Sequence, residues 1–322
     1  MLVSLNRIME RMMPIITPVS VIIGVLLADG LKSYSFLVPW IFAIMTFIGS
    51  LGSNIKSLKD VVLHPMRLFT VLLILHVIMP LWALLLGHLT FSGDAHTITG
   101  IILATLIPTG ITSVIWVSVY SGNTALALMI ILVDTFLSPF VVPYSVSLFA
   151  GESVVIDVFG MMKGLVGMVV LPSLIGMLLN ELTKGKIKQK LGIPLAPFSK
   201  LGLAAVVMIN SSVVSPYLKQ VDLKLFMIAA LSLTVSASGY IISVLIGKLL
   251  KWSREDVTSL MFTGGMRNIS AGAVLAVAYF DPAVAVPVVI GMLFQQVLAS
   301  SFGALLHKSY KKPFIQKQVK GA

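Results

Sequence analysis

The sequence predicts an all-α integral membrane protein of ten transmembrane helices, arranged as two inverted five-helix repeats. Three observations carry that expectation. Apolar residues make up 57% of the 322-residue chain and charged ones only 11%, with a mean hydropathy of +1.02, whereas soluble domains carry about 25% charged residues. Apolar runs of about 17–25 residues, the length that crosses a bilayer, recur from end to end. The basic residues between those runs fall mostly on one side.

In chain order the expected spans are 12–29, 36–54, 67–88, 97–120, 124–149, 156–181, 199–217, 223–250, 257–279 and 284–306. The first follows Arg7 and Arg11 as a signal peptide does. It contains Pro14 and Pro18, however, lacks an A-x-A cleavage site and is needed to keep the charge pattern in phase, so it is read as retained. With the sides of the membrane numbered from the N-terminus, eighteen Lys and Arg lie on the N-terminal side. Three, Lys32, Lys219 and Lys224, lie on the other, and the remaining two of the 23, Lys163 and Arg267, lie within spans. The positive-inside rule then puts both termini in the cytoplasm, with the protein in the cell (inner or plasma) membrane. A missed or extra helix would scramble this asymmetry. The net charge of +11 therefore reports membrane orientation and not a nucleic-acid partner. Cysteine is absent, which excludes disulfides and thiolate metal sites.

No linker is long enough for a separate soluble domain. The expected transporter domain is 12–306, with repeat one at 12–149, repeat two at 156–306 and a basic cytoplasmic tail at 307–322. An odd number of helices per half forces the two halves into opposite orientations, a common transporter plan. The interruptions agree. Helix 4 contains IPTGITS, where Pro108 lacks an N–H and Gly110 tolerates unusual dihedrals. Helix 9 contains FTGGMRN, with Gly264 and Gly265 at nearly the equivalent place. Either break alone reads equally well as an ordinary membrane-helix kink; two at matched positions favour broken helices. Backbone groups freed there need partners in protein or in a water-filled cavity, and half-helix N-termini attract carboxylates.

Three lasting charges lie inside spans: Asp134, Lys163 and Arg267. A charge at a helix centre costs about 2.5–3.5 kcal/mol on insertion scales, so Asp134 of helix 5 and Arg267 of helix 9 are expected to pair; a purely structural ion pair is the plainer alternative. Lys163 is near enough to its helix end to snorkel outward. His76 reads either as a hydrogen-bonded core residue or as a proton relay. At least one of Gln295 and Gln296 is expected to face the interior.

The segments PTGITSV, SGNTALAL…LSPFVVP, LHPMRLFTVLLILHVIMPLWALLLG and GGMRNISAGAVLAVAYF…AVAVPVVIGMLF resemble the bile acid:sodium symporter family over residues 12–306. The resemblance implies broken, crossing helices 4 and 9. It also implies a core domain (67–149 and 223–306) packed against a panel domain (12–54 and 156–217). Family substrates are organic anions, bile salts or smaller carboxylates such as pantoate. The chain departs from the family where sodium binds. The Glu-x-Gly-x-Gln-Asn pattern of helix 9 matches Thr263, Gly265, Arg267 and Asn268. Pro-Gly-Gly-Thr-Ala-Ser-Asn of helix 4 matches Pro108 to Val114, keeping Ser113 and losing the asparagine. Two hydroxyl ligands of helix 5 match Ala127 and Ile131, and a helix 3 glutamine matches Leu75.

The expectation is therefore an organic-anion transporter that does without the family's sodium sites. Arg267 acts as a tethered cation balanced by Asp134; either Asp134 titrates and gives proton symport, or the pair keeps its charge state and the protein is a uniporter or exchanger. Expected substrate-binding residues are Thr109, Thr112, Ser113, Thr263, Arg267 and Asn268. Asp134, Arg267 and His76 are the coupling set. No cofactor or resident metal is expected; the partners are a small organic anion and the bilayer. The alternative is a sodium-coupled symporter with a rearranged site. An intramembrane enzyme is disfavoured because Asp134 is the only deep aspartate, His76 the only deep histidine, and H-E-x-x-H is absent. A channel is disfavoured by the lack of like-charged rings.

Overall fold

The computed structural model describes residues 2–53, 65–150, 154 and 156–310. Helices α1 (Leu2–Leu26), α2 (Ala28–Ser50), α3 (Pro65–Thr90), α4 (Ala95–Leu106), α5 (Ser113–Val119) and α6 (Thr124–Phe149) make the first half. Helices α7 (Val158–Leu182), α8 (Lys188–Val213), α9 (Leu223–Leu249), α10 (Arg254–Gly265), α11 (Ile269–Tyr279) and α12 (Pro282–Tyr310) make the second. The described residues contain no strand beyond one isolated bridge. Seven helices, α2, α3, α6, α7, α8, α9 and α12, are long and apolar enough to cross a membrane. Ile15–Leu26, α4 and α11 are shorter apolar helices.

Several boundaries differ from expectation. α1 begins ten residues before the expected span, and α8 begins at Lys188 and not at 199. Lys188 and Lys190 are exposed; their long stems let a helix run past the apolar zone while the ammonium groups reach water. α12 continues through His307 and Lys308, so the tail expected from 307 is helical as far as Tyr310. Residues 311–322, with four of the lysines used to orient the chain, lie outside the described residues, as do Lys56, Lys59 and the side chains of Arg7 and Arg11.

Three helices widen into a π-turn, at Ile74–Ile78, Val166–Val170 and Lys188–Gly192. Each precedes a proline: Pro80, Pro172 and Pro194. A proline ring collides with the carbonyl four residues earlier and cannot donate to it. Those carbonyls belong to His76, Met168 and Lys190, the middle residue of each π-turn. The backbone widens where the clash falls, and in α3 this fixes the position of His76. Pro139 in α6 similarly frees the carbonyl of Thr135, which accepts a 2.8 Å hydrogen bond from Ser138 Oγ.

Three aspartates and two asparagines cap helices. Asp94 accepts from Thr97 N, Asn123 from Leu126 N, Asp157 from Gly160 N, Asp222 from Leu225 N and Asn268 from Ala271 N. Asp94, in the loop before α4, also meets Lys224 Nζ at 2.8 Å. Burial raises its carboxyl pKa, but hydrogen bonds from Lys224 and Thr97 outweigh that and hold it below the ordinary 3.8. A depressed carboxyl stabilises the fold at pH above its unfolded value and loses that contribution as pH falls through the folded one. With Lys224 57% exposed, the ion pair is worth at most about 1 kcal/mol. Asp94→Asn is expected to lower the thermal midpoint slightly at neutral pH, and the gap to the parent protein should close as the pH is taken below about 4.

The helices pack in two groups. α1, α2, α7 and α8 lie mainly against one another, with Gly24 bringing α1 onto the backbone of α8 at Met208. Helices α3 to α6 and α9 to α12 form the other group, in which α4 packs on α12 and α9 on α10. Contacts of α6 with α7 and of α8 with α11 join the groups.

Candidate functional site

The helical backbone stops at Leu106 and resumes at Ser113, and it stops at Gly265 and resumes at Ile269. The two interruptions lie against each other as a short antiparallel bridge between Thr109 and Arg267. Gly110 N donates to Met266 O at 3.3 Å, and Asn268 N donates to Pro108 O at 2.8 Å. Each break thus satisfies backbone groups that the other leaves free, as a buried, water-poor site requires. Glycine is needed at 110 because a Cβ there would stand 2.9 Å from the carbonyl oxygen of Arg267.

Side chains tighten the crossing. Asp134 of α6 is fully buried; its Oδ2 accepts from Thr109 N at 2.7 Å and its Oδ1 from His76 Nε2 at 2.7 Å. Thr109 Oγ1 donates to Thr263 O at 2.9 Å, and Thr263 Oγ1 to Ser259 O at 2.8 Å. Gln295 Oε1 of α12 accepts from the backbone N–H of Arg267 at 3.1 Å. Thr109, Thr263, Arg267, Asn268, Asp134, His76 and Gln295 are thereby linked in one network. Thr112 and Ser113 open α5 beside it, and Ser113 Oγ is buried without a partner. Gln296 faces elsewhere, accepting from Trp116 Nε1 at 3.2 Å.

One expectation needs correcting. Asp134 and Arg267 do not pair: among the described residues no carboxylate lies within 4.0 Å of the guanidinium, and the partner of Asp134 is His76. The carboxylate sits on the α3 side of the crossing, where the Pro80 π-turn presents His76. Arg267 is 5% exposed, and its Nη1 has no hydrogen-bond partner. Leu75, Ala127 and Ile131 are apolar and buried. Lys163 is exposed, with Nζ 4.4 Å from the centre of the Phe159 ring.

Two features escaped the sequence reading. Tyr240 of α9 is buried, stacked on Phe302 at 4.9 Å, with its hydroxyl unpartnered; one tyrosine in an apolar run gives no signal. Near the starts of α3, α6 and α10, Asp256 accepts from Asn123 Nδ2 at 2.9 Å and pairs with Arg67 Nη2 at 3.0 Å. Arg67 also lies 5.9 Å from the centre of the Trp252 ring. The signal for this pair in the sequence is opposite charges, Arg67 and Asp256, at span ends expected on the same side.

A multi-pass helical membrane protein with a charged, buried crossing of two interrupted helices is the class that fold and site define. The chain matches the model of the Sodium Bile acid symporter family over residues 38–221. It is 54% identical over 305 residues, 95% of this chain and 100% of the relative, to the uncharacterized protein YbaS of Bacillus subtilis (strain 168). It is 28% identical over 294 residues, 87% of this chain and 88% of the relative, to the uncharacterized sodium-dependent transporter YocS of the same organism. It is 30% identical over 260 residues to the probable sodium/metabolite cotransporter BASS1, chloroplastic, of Oryza sativa subsp. japonica, covering 79% of this chain and 60% of the relative. The chain belongs to the sodium bile acid symporter family, a family of membrane transporters.

Proposed function

We propose that this protein is a secondary transporter of small organic anions that works by alternating access without the family's sodium sites. In this reading the chain makes ten membrane passages, α4 with α5 and α10 with α11 each counting as one, in two inverted repeats with both termini cytoplasmic in the cell membrane. The two packing groups serve as panel and core, rocking about a site at the crossing. Thr109, Thr112, Ser113, Thr263, Arg267 and Asn268 line the substrate side.

The observation that carries this reading is Arg267: a buried cation with no carboxylate within 4.0 Å among the described residues, at the position that the resemblance matches to the family's sodium site. Sodium requires several oxygen ligands, and a guanidinium there repels it. Leu75, Ala127 and Ile131 supply no side-chain oxygen. Coupling then falls to the His76–Asp134 pair, whose side chains meet at 2.7 Å beside the crossing.

The word sodium in the names of two relatives favours the opposing reading, a sodium-coupled symporter whose ligands are backbone carbonyls at the crossing. Uptake of labelled carboxylates, pantoate and taurocholate among them, into proteoliposomes separates the two. Uptake is expected to be unchanged when potassium replaces sodium and to be accelerated by an inward proton gradient. Asp134→Asn should abolish that acceleration. Uptake that requires sodium overturns the proposal.

A further inference from the structure

On the α9 side of the crossing, away from Asp134, a cavity of about 30 Å³ lies among α3, α4, α9, α10, α11 and α12. It has room for about two waters or one small ion. Its polar lining includes several hydrogen-bond donors. Arg267 and Tyr240 both border it, and the unpartnered polar atoms of these buried side chains are Arg267 Nη1 and Tyr240 Oη. Gln295, another lining residue, spends its Oε1 on the backbone N–H of Arg267 and so keeps its amide NH2 free. Ser236 adds a hydroxyl. Thr105 and Ser232 have already turned theirs to the carbonyls of Ile102 and Pro287. No lining residue is acidic, and Arg267 is the only charged one.

A buried charge with neither counter-ion nor full hydrogen bonding costs several kcal/mol by general expectation. Asp134 acts on Arg267 only across the crossing, and its oxygens are committed to His76 and Thr109. Donors converging on a small space, one positively charged and with no acidic residue in the lining, are the chemistry of an anion site. We infer that this cavity binds a small monovalent inorganic anion of chloride's size, held by Arg267, Tyr240 and Gln295. The ion sits against Arg267 inside the second packing group.

The test uses the full-length protein purified in detergent, in potassium salts throughout, so that it stays independent of the sodium question. Thermal midpoints are measured while chloride, then bromide, replaces gluconate at constant ionic strength. The expected result is a saturable rise of about 5 °C in either halide. Tyr240→Phe, which keeps the ring stacked on Phe302, should raise the half-saturating concentration about tenfold, the loss of one hydrogen bond to a charged ligand. Arg267→Gln should abolish the halide response. If the midpoint is the same in chloride and gluconate, or if both variants respond as the parent does, the site does not exist.

Discussion

Asp134→Leu is expected to lower stability by about 3 kcal/mol or more, the largest single-residue effect anticipated here. The leucine removes both acceptor oxygens of a fully buried carboxylate. It strands the N–H of Thr109 and the Nε2 of His76, each at 2.7 Å in the parent. Asp134→Asn should cost far less, about 1 kcal/mol. Its amide oxygen can still accept from Thr109, while its NH2 donates to His76 in the other tautomer. The two variants therefore separate structure from coupling: the leucine protein should be poorly folded, the asparagine protein folded but without proton-driven uptake. Thermal midpoints in detergent check the first statement. A leucine variant as stable as the parent would mean that the carboxylate does not organise the crossing.

Gly110→Val is expected to be the next most damaging change. Its Cβ would meet the carbonyl oxygen of Arg267 at 2.9 Å, and that oxygen belongs to backbone, which cannot rotate away. The two interruptions must separate, weakening the hydrogen bonds of Gly110 N to Met266 O and of Asn268 N to Pro108 O. Overpacking costs about 1–3 kcal/mol, and each weakened hydrogen bond adds about 1 kcal/mol. Gly110→Ala brings the same Cβ with less bulk and should show a smaller drop in thermal midpoint. Equal stability of the alanine, valine and parent proteins would contradict the close crossing.

Much of this architecture is legible in the residues because the bilayer limits the choices. Pro108 with Gly110, and Gly264 with Gly265, marked the interruptions, and the apolar run lengths marked the long helices. What could not be read is which side chains meet. Asp134 and Arg267 invited pairing because both lie deep and carry opposite charge. The partner of Asp134 was decided instead by Pro80, whose clash with the carbonyl of His76 opens a π-turn in α3 and places that histidine. Depth in the membrane follows from counting residues, but azimuth around a helix does not once a π-turn has shifted it. Tyr240 was invisible for a related reason. Its role depends on a cavity assembled from six helices, and no local pattern encodes that.

We propose that a fixed guanidinium has replaced the coupling sodium. The most direct measurement is the thermal midpoint of the purified protein in sodium chloride against equimolar potassium or choline chloride, across several pH values. The account predicts the same midpoint in all three salts at each pH. A saturable, sodium-specific rise, worth about 2.7 kcal/mol at a hundredfold excess over Kd, would contradict it and return sodium to the crossing.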